Sequence, residues 1–102
     1  MLYKITAEVW LYPAPVAWHF VTIPPKISAE IKARFAKQRV GWGSIPVTVT
    51  LGKTIWKTSI FPDKKSGGYL LPLKANIRKK EGIEAGKTVS FTLAVGAQQP
   101  TL

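Results

Sequence analysis

Apolar and polar positions alternate from the start of the chain. Tyr3, Ile5, Ala7, Val9 and Leu11 fall on one face, and Lys4, Thr6, Glu8 and Trp10 on the other. Period two is the mark of a half-buried strand. Pro13 and Pro15 end it, since proline brings no N–H to a ladder. Residues 18–23 (WHFVTI) read as a second strand, rich in β-branched and aromatic side chains. Pro24 and Pro25 then break the pattern, and the period changes. Ile27, Ile31 and Phe35 recur every fourth residue, which predicts a short helix over 25–37 with Lys26, Lys32, Arg34 and Lys37 on its other faces. Residues 41–43 form a glycine loop around Trp42.

A hairpin follows. Ile45, Val47, Val49 and Leu51 alternate with Pro46, Thr48 and Thr50, and the chain returns over 54–61. A two-residue loop of Gly52 and Lys53, glycine first, fits a type II′ turn. Pro46 marks the start or an edge of its strand. Residues 62–68 read as a polar loop with Lys64 and Lys65 at its tip. A short strand over 69–73 leads into a second helix over 74–81, with Gly82 at its C-cap. After a turn over 83–86, Val89, Phe91, Leu93 and Val95 alternate with Thr88, Ser90, Thr92 and Ala94 in the last strand.

The two halves repeat an order: strand, proline, short helix, glycine loop, strand. Pro25, Ile31-Lys32, Gly43 and VTVTL (47–51) are echoed by Pro72, Ile77-Arg78, Gly86 and VSFTL (89–93), although the spacings differ. Internal duplication and two generic β-helix-β units both account for this. Short strands with small helices predict a mainly β fold, a small double-split β-barrel with two short helices, because closure removes exposed edges. One domain over 1–97 and a loose tail over 98–102 are expected.

Composition narrows the chemistry. The chain has 102 residues and no Cys, which excludes disulfides, thiolate nucleophiles and Cys-type zinc sites. A single His and five scattered acids leave no metal cluster or paired-carboxylate site. No stretch approaches the roughly 20 apolar residues of a membrane helix, and no signal peptide opens the chain, so a cytoplasmic protein is expected. Fifteen Lys or Arg against five Asp or Glu give a net charge of +10, which favours anionic partners.

The segment LPLKANIRKKEGIEAGKTVSF (71–91) resembles the half-barrel of the AbrB and MazE swapped-hairpin proteins, with Lys87 where that family usually has Asp. A wider likeness spans nearly the whole chain. The motifs WHFVTIP (18–24), GWGSIPV (41–47) and FPDKKSGGY (61–69), with Pro72, Lys74 and Arg78, resemble domain of unknown function family 1905. That resemblance implies a double-split barrel, found alone or joined to a domain associated with bacteriocin protection, and it implies no activity. Because one chain carries both halves, it also implies that a monomer can close its own barrel.

Candidate residues fall into two sets. Lys64, Lys65, Lys74, Arg78 and Lys79 are the candidates for an anion or nucleic-acid patch, and the glycines of the 62–68 loop add the prospect of a backbone anion nest. A solvated helix face and a plain polar loop are the alternatives. Trp18, Trp42, Trp56 and Tyr69 are candidates for a pocket at the barrel end, and Trp10, Trp18, Trp42 and Trp56 for stacking bases beside a basic groove, against ordinary core packing. Trp10 is singled out because it falls on the polar face of its strand. His19 has no nucleophile pattern around any serine, so no catalytic residue is expected, nor any metal or cofactor. The expected function is a non-enzymatic module binding an anionic partner such as nucleic acid. The alternative is a barrel for a small ligand or a protein partner.

Overall fold

A computed structural model describes residues 1–13, 18–35 and 43–96. The order is β1 (Leu2–Leu11), β2 (His19–Thr22), α1 (Pro25–Phe35), β3 (Ile45–Leu51), β4 (Thr54–Asp63), β5 (Gly68–Pro72), α2 (Ala75–Glu81) and β6 (Thr88–Val95). The strands close into an antiparallel barrel in the order β1-β2-β5-β4-β3-β6. The alternating residues read from the sequence point inward, except Leu11 at the end of β1, which is 48% exposed. Ile5, Val9, Val21, Val49, Ile60, Leu71 and Leu93 are all almost fully buried. Burial of such side chains supplies the main drive to fold, about 1.5–3 kcal/mol each. Among the described residues, no helix is long and apolar enough to cross a membrane.

Exchanging β1 with β4, β2 with β5 and β3 with β6 leaves the strand order unchanged, so the barrel has a two-fold pseudosymmetry. Hydrogen bonds set its register. Ile23 N–H donates to Tyr69 O at 2.9 Å, and Leu73 N–H donates to His19 O at 2.9 Å. Equivalent residues in this region are therefore fifty apart. That register corrects the sequence pairing: Pro72 corresponds to Thr22 rather than Pro25, and Ile77 to Ile27 rather than Ile31. Prolines are free to shift between halves here because both positions lie where a strand hands over to a helix, so motif matching on proline misleads.

Other boundaries move for local reasons. β4 runs on to Asp63, with Pro62 opposite Tyr69, so the connection shrinks to residues 64–67. Gly52 has φ +60°, and among the described residues no non-glycine has positive φ, so the β3–β4 turn has the single left-handed first position of type II′. Pro46 pairs with β4, but the β3–β6 ladder begins only at Val47, which is why a proline is tolerated there. Gly82 caps α2 in the left-handed conformation expected. The proposed end of the first helix, Trp42 and the 98–102 tail lie outside the described residues.

Candidate nucleic-acid interface

The barrel is split in two places, and the splits decide where a site can form. The β4–β5 ladder pairs only Phe61, Pro62 and Asp63 with Leu70, Tyr69 and Gly68. Upstream of it, β4 and the end of β5 diverge. A concavity of about 730 Å3 opens at this divergence. Lys57, Thr58, Ser59 and Phe61 form one wall, and Pro72, Leu73, Lys74, Ala75 and Arg78 the other. Trp18 and His19, at the start of β2, close one side. Among the described residues, no Asp or Glu lines it.

The side chains here are positioned by their elements. Arg78 sits on α2 with Nε donating to Leu73 O at 3.1 Å, a bond that turns part of the guanidinium back onto the helix entry. It is half-buried, while Lys57 and Lys74 are exposed. Lys74 is the N-cap residue of α2, in extended conformation, and it lines the same concavity as Arg78 one turn further on. α2 is itself tied down at its far end, where Thr54 Oγ1 donates to Glu81 Oε2 at 2.5 Å. Trp18 and Phe61 leave 57% and 42% of their surface to solvent, high values for aromatic residues beside a cavity.

The equivalent split between β1 and β2 is filled. α1 has 11 residues against 7 in α2, and it packs its Ile31 fully into the core. Ser28, the counterpart of Arg78, is 3% exposed. Its Oγ donates to Ile23 O at 3.2 Å, just as Arg78 Nε donates to Leu73 O. It also accepts Tyr69 N–H at 3.2 Å. Gly68, the counterpart of Trp18, lies so close that an added Cβ would stand 2.6 Å from Ser28 Oγ.

The structure redistributes the sequence candidates. Of the cations, Lys74 and Arg78 line the concavity, whereas Lys64, Lys65 and Lys79 do not. Lys64 and Lys65 sit in the turn beyond the closing end of the β4–β5 ladder, and Gly68, which follows that turn, packs against Ser28 of α1. The N–H groups that an anion nest in that turn would use are taken up within the turn itself. Asp63 accepts Lys65 N–H at 3.4 Å and Ser66 N–H at 3.2 Å, and Gly68 N–H goes to Ser66 Oγ at 3.2 Å. The bond from the Ser66 hydroxyl, with help from these N–H groups and nearby Lys65, holds the Asp63 carboxyl below the ordinary carboxylate value.

Of the aromatic candidates, Trp18 lines the concavity. Tyr69 points into the core instead, 3% exposed, because its place on β5 alternates with the outward residues. Trp56 packs against the core from β4. Trp42 is outside the described residues. Trp10 does lie on the outer face, half-buried, with Nε1 donating to Thr22 Oγ1 at 2.9 Å. Lys57 and Phe61 are the residues the sequence reading missed. Their signal was present: Lys57, Ser59 and Phe61 share one face of β4 by period two, opposite buried Ile60. Nothing in the sequence said that this face would border a split.

Among curated proteins none matches this chain. A family described as "Domain of unknown function (DUF1905)" matches residues 6–93, a span that includes both walls of the concavity and both helices. The likeness over nearly the whole chain read from the 18–24, 41–47 and 61–69 motifs is thereby confirmed, and the chain belongs to the DUF1905 family.

Proposed function

We propose that this protein is a non-enzymatic module that binds single-stranded nucleic acid in the β4–β5 split. The observation that carries the reading is the joining, in one concavity without acidic residues, of three cations and two exposed aromatic rings. Lys57, Lys74 and Arg78 suit phosphates, and Trp18 and Phe61 suit the faces of unstacked bases. This joins the two candidate sets, since Lys74 and Arg78 of the one and Trp18 of the other line the same concavity. A duplex keeps its bases stacked inside and offers only phosphates to the same surface. A closed barrel in one chain is consistent with a monomeric binder.

The test is anisotropy of a labelled single-stranded oligonucleotide, titrated at low salt and then at increasing salt. With three cations engaged, log K is expected to fall with log salt at a slope of about −2. Single strands should bind more tightly than duplex or heparin at equal charge. Absence of binding at low salt, or equal affinity for all three polyanions, overturns the proposal.

A further inference from the structure

Trp18 belongs to a second feature that the concavity does not use. Trp10 pairs with Phe20 across the β1–β2 ladder, and Tyr12 N–H donates to Trp18 O at 2.8 Å one step further along. Trp10 and Phe20 face outward, because their paired strand neighbours Val9 and Val21 are fully buried inside the barrel, and Tyr12 and Trp18 join them two residues further along. Phe20 is the hub. Its ring centroid lies 5.4 Å from Trp10, 6.1 Å from Tyr12 and 5.9 Å from Trp18. Covered by these neighbours, Phe20 is only 7% exposed despite its outward direction. Tyr12 and Trp18 stand on it, 51% and 57% exposed, as a cross-strand pair.

We infer that the bound strand continues out of the concavity over Trp18 and stacks a further base on Tyr12. The inference rests on the proposed nucleic-acid reading and extends it from a pocket to a track. The order of strands supplies the path: Tyr12 directly follows β1, Trp18 directly precedes β2, and the β5–α2 junction carries Lys74. Cations thus lie at one end and apolar rings at the other, the distribution that a backbone threading inward and a base lying outward require. Props beneath the rings matter, because a pre-set ring loses little freedom on binding.

The experiment compares a thymidine dinucleotide with a thymidine octanucleotide, on the wild type and on Tyr12→Ala, Tyr12→Phe and Arg78→Ala. Loss of one stacking contact should weaken the octanucleotide about 5- to 100-fold in Tyr12→Ala. The dinucleotide should be unaffected by that change, and Tyr12→Phe should retain most of the affinity. Arg78→Ala should weaken both ligands. If Tyr12→Ala leaves the octanucleotide unchanged, or weakens both lengths equally, the track is refuted while the concavity stands. If the wild type binds neither ligand, or Arg78→Ala binds both as the wild type does, the concavity reading fails and the track with it.

Discussion

The β1–β2 split and the β4–β5 split begin from the same geometry and end as opposites. Each lies where a short ladder gives way to a helix, and each has a helix side chain bonded to the carbonyl five residues earlier. In the first, that side chain is Ser28 on Ile23 O; in the second it is Arg78 on Leu73 O. Ser28 is small enough to let Gly68 press against it, and the longer α1 fills the space. Arg78 is long, its counterpart neighbour is Trp18 instead of glycine, and the shorter α2 leaves a concavity. One hydrogen-bond pattern therefore serves packing in one half and presentation of charge in the other. A pseudosymmetric barrel can hold itself together with one split and keep the other for a ligand.

Mutations at paired positions break this comparison most strongly where α1 fills its split. Ile31 is fully buried, and Ile31→Ala should lower unfolding free energy by about 2–5 kcal/mol in a denaturant titration. At the corresponding position on α2, Glu81→Gln disturbs only the contact with Thr54 and should cost about 1 kcal/mol. Equal losses would mean that α2 carries as much of the core as α1.

Close approach provides the next test. Gly68→Ala forces a Cβ against Ser28, whose hydroxyl is held by two bonds, and should cost about 1–3 kcal/mol. Trp18→Ala removes a mostly exposed ring and should change stability by less than about 1 kcal/mol, as read from thermal midpoints.

The helix side chains themselves sharpen the contrast. Ser28→Ala leaves a buried Tyr69 N–H without its acceptor and should cost about 1–3 kcal/mol of stability. Arg78→Ala should cost less than that in stability and about tenfold or more in affinity for a single strand, with the salt slope reduced by about 0.7. A stability loss in Arg78→Ala equal to that in Ser28→Ala would show that both splits are structural.

The smallest effect lies in alkaline solution and concerns the helix that fills the first split. Tyr3 reaches α1 through its hydroxyl, which donates to Glu30 Oε2 at 3.3 Å. Burial, and next the charge of Glu30, push the Tyr3 phenol above its usual value. The folded state therefore holds the proton longer than the unfolded chain does. Stability should be fully present below about pH 10 and fall as pH rises through the folded-state value. Chemical denaturation across pH 9 to 11 should show that decline in the wild type and a shallower one in Tyr3→Phe.

Much of the barrel was legible in the chain because period two and period 3.6 report directly on faces. Ile5, Val9, Val49 and Leu93 were placed inside correctly, and the turn at Gly52 was readable because a glycine-first pair has few alternatives. The site was only half legible. Alternation says that Lys57 and Phe61 face outward, but which outward face borders a gap depends on where β5 leaves β4, a long-range event. Tyr69 looked like a pocket residue by composition, and a single residue of register places it in the core. Lys64 and Lys65 were grouped with Lys74 by proximity in sequence, yet β5 carries the chain away between them.

The claim that the β4–β5 split is the binding face is tested most directly by amide chemical-shift mapping during titration with a single-stranded oligonucleotide. Shifts clustered at residues 57–61, 72–78 and 18–19, with the Ser28–Gly68 junction unmoved, are the result expected from this geometry. Shifts centred on α1 and the 64–67 turn, or spread evenly over the basic surface, would contradict it.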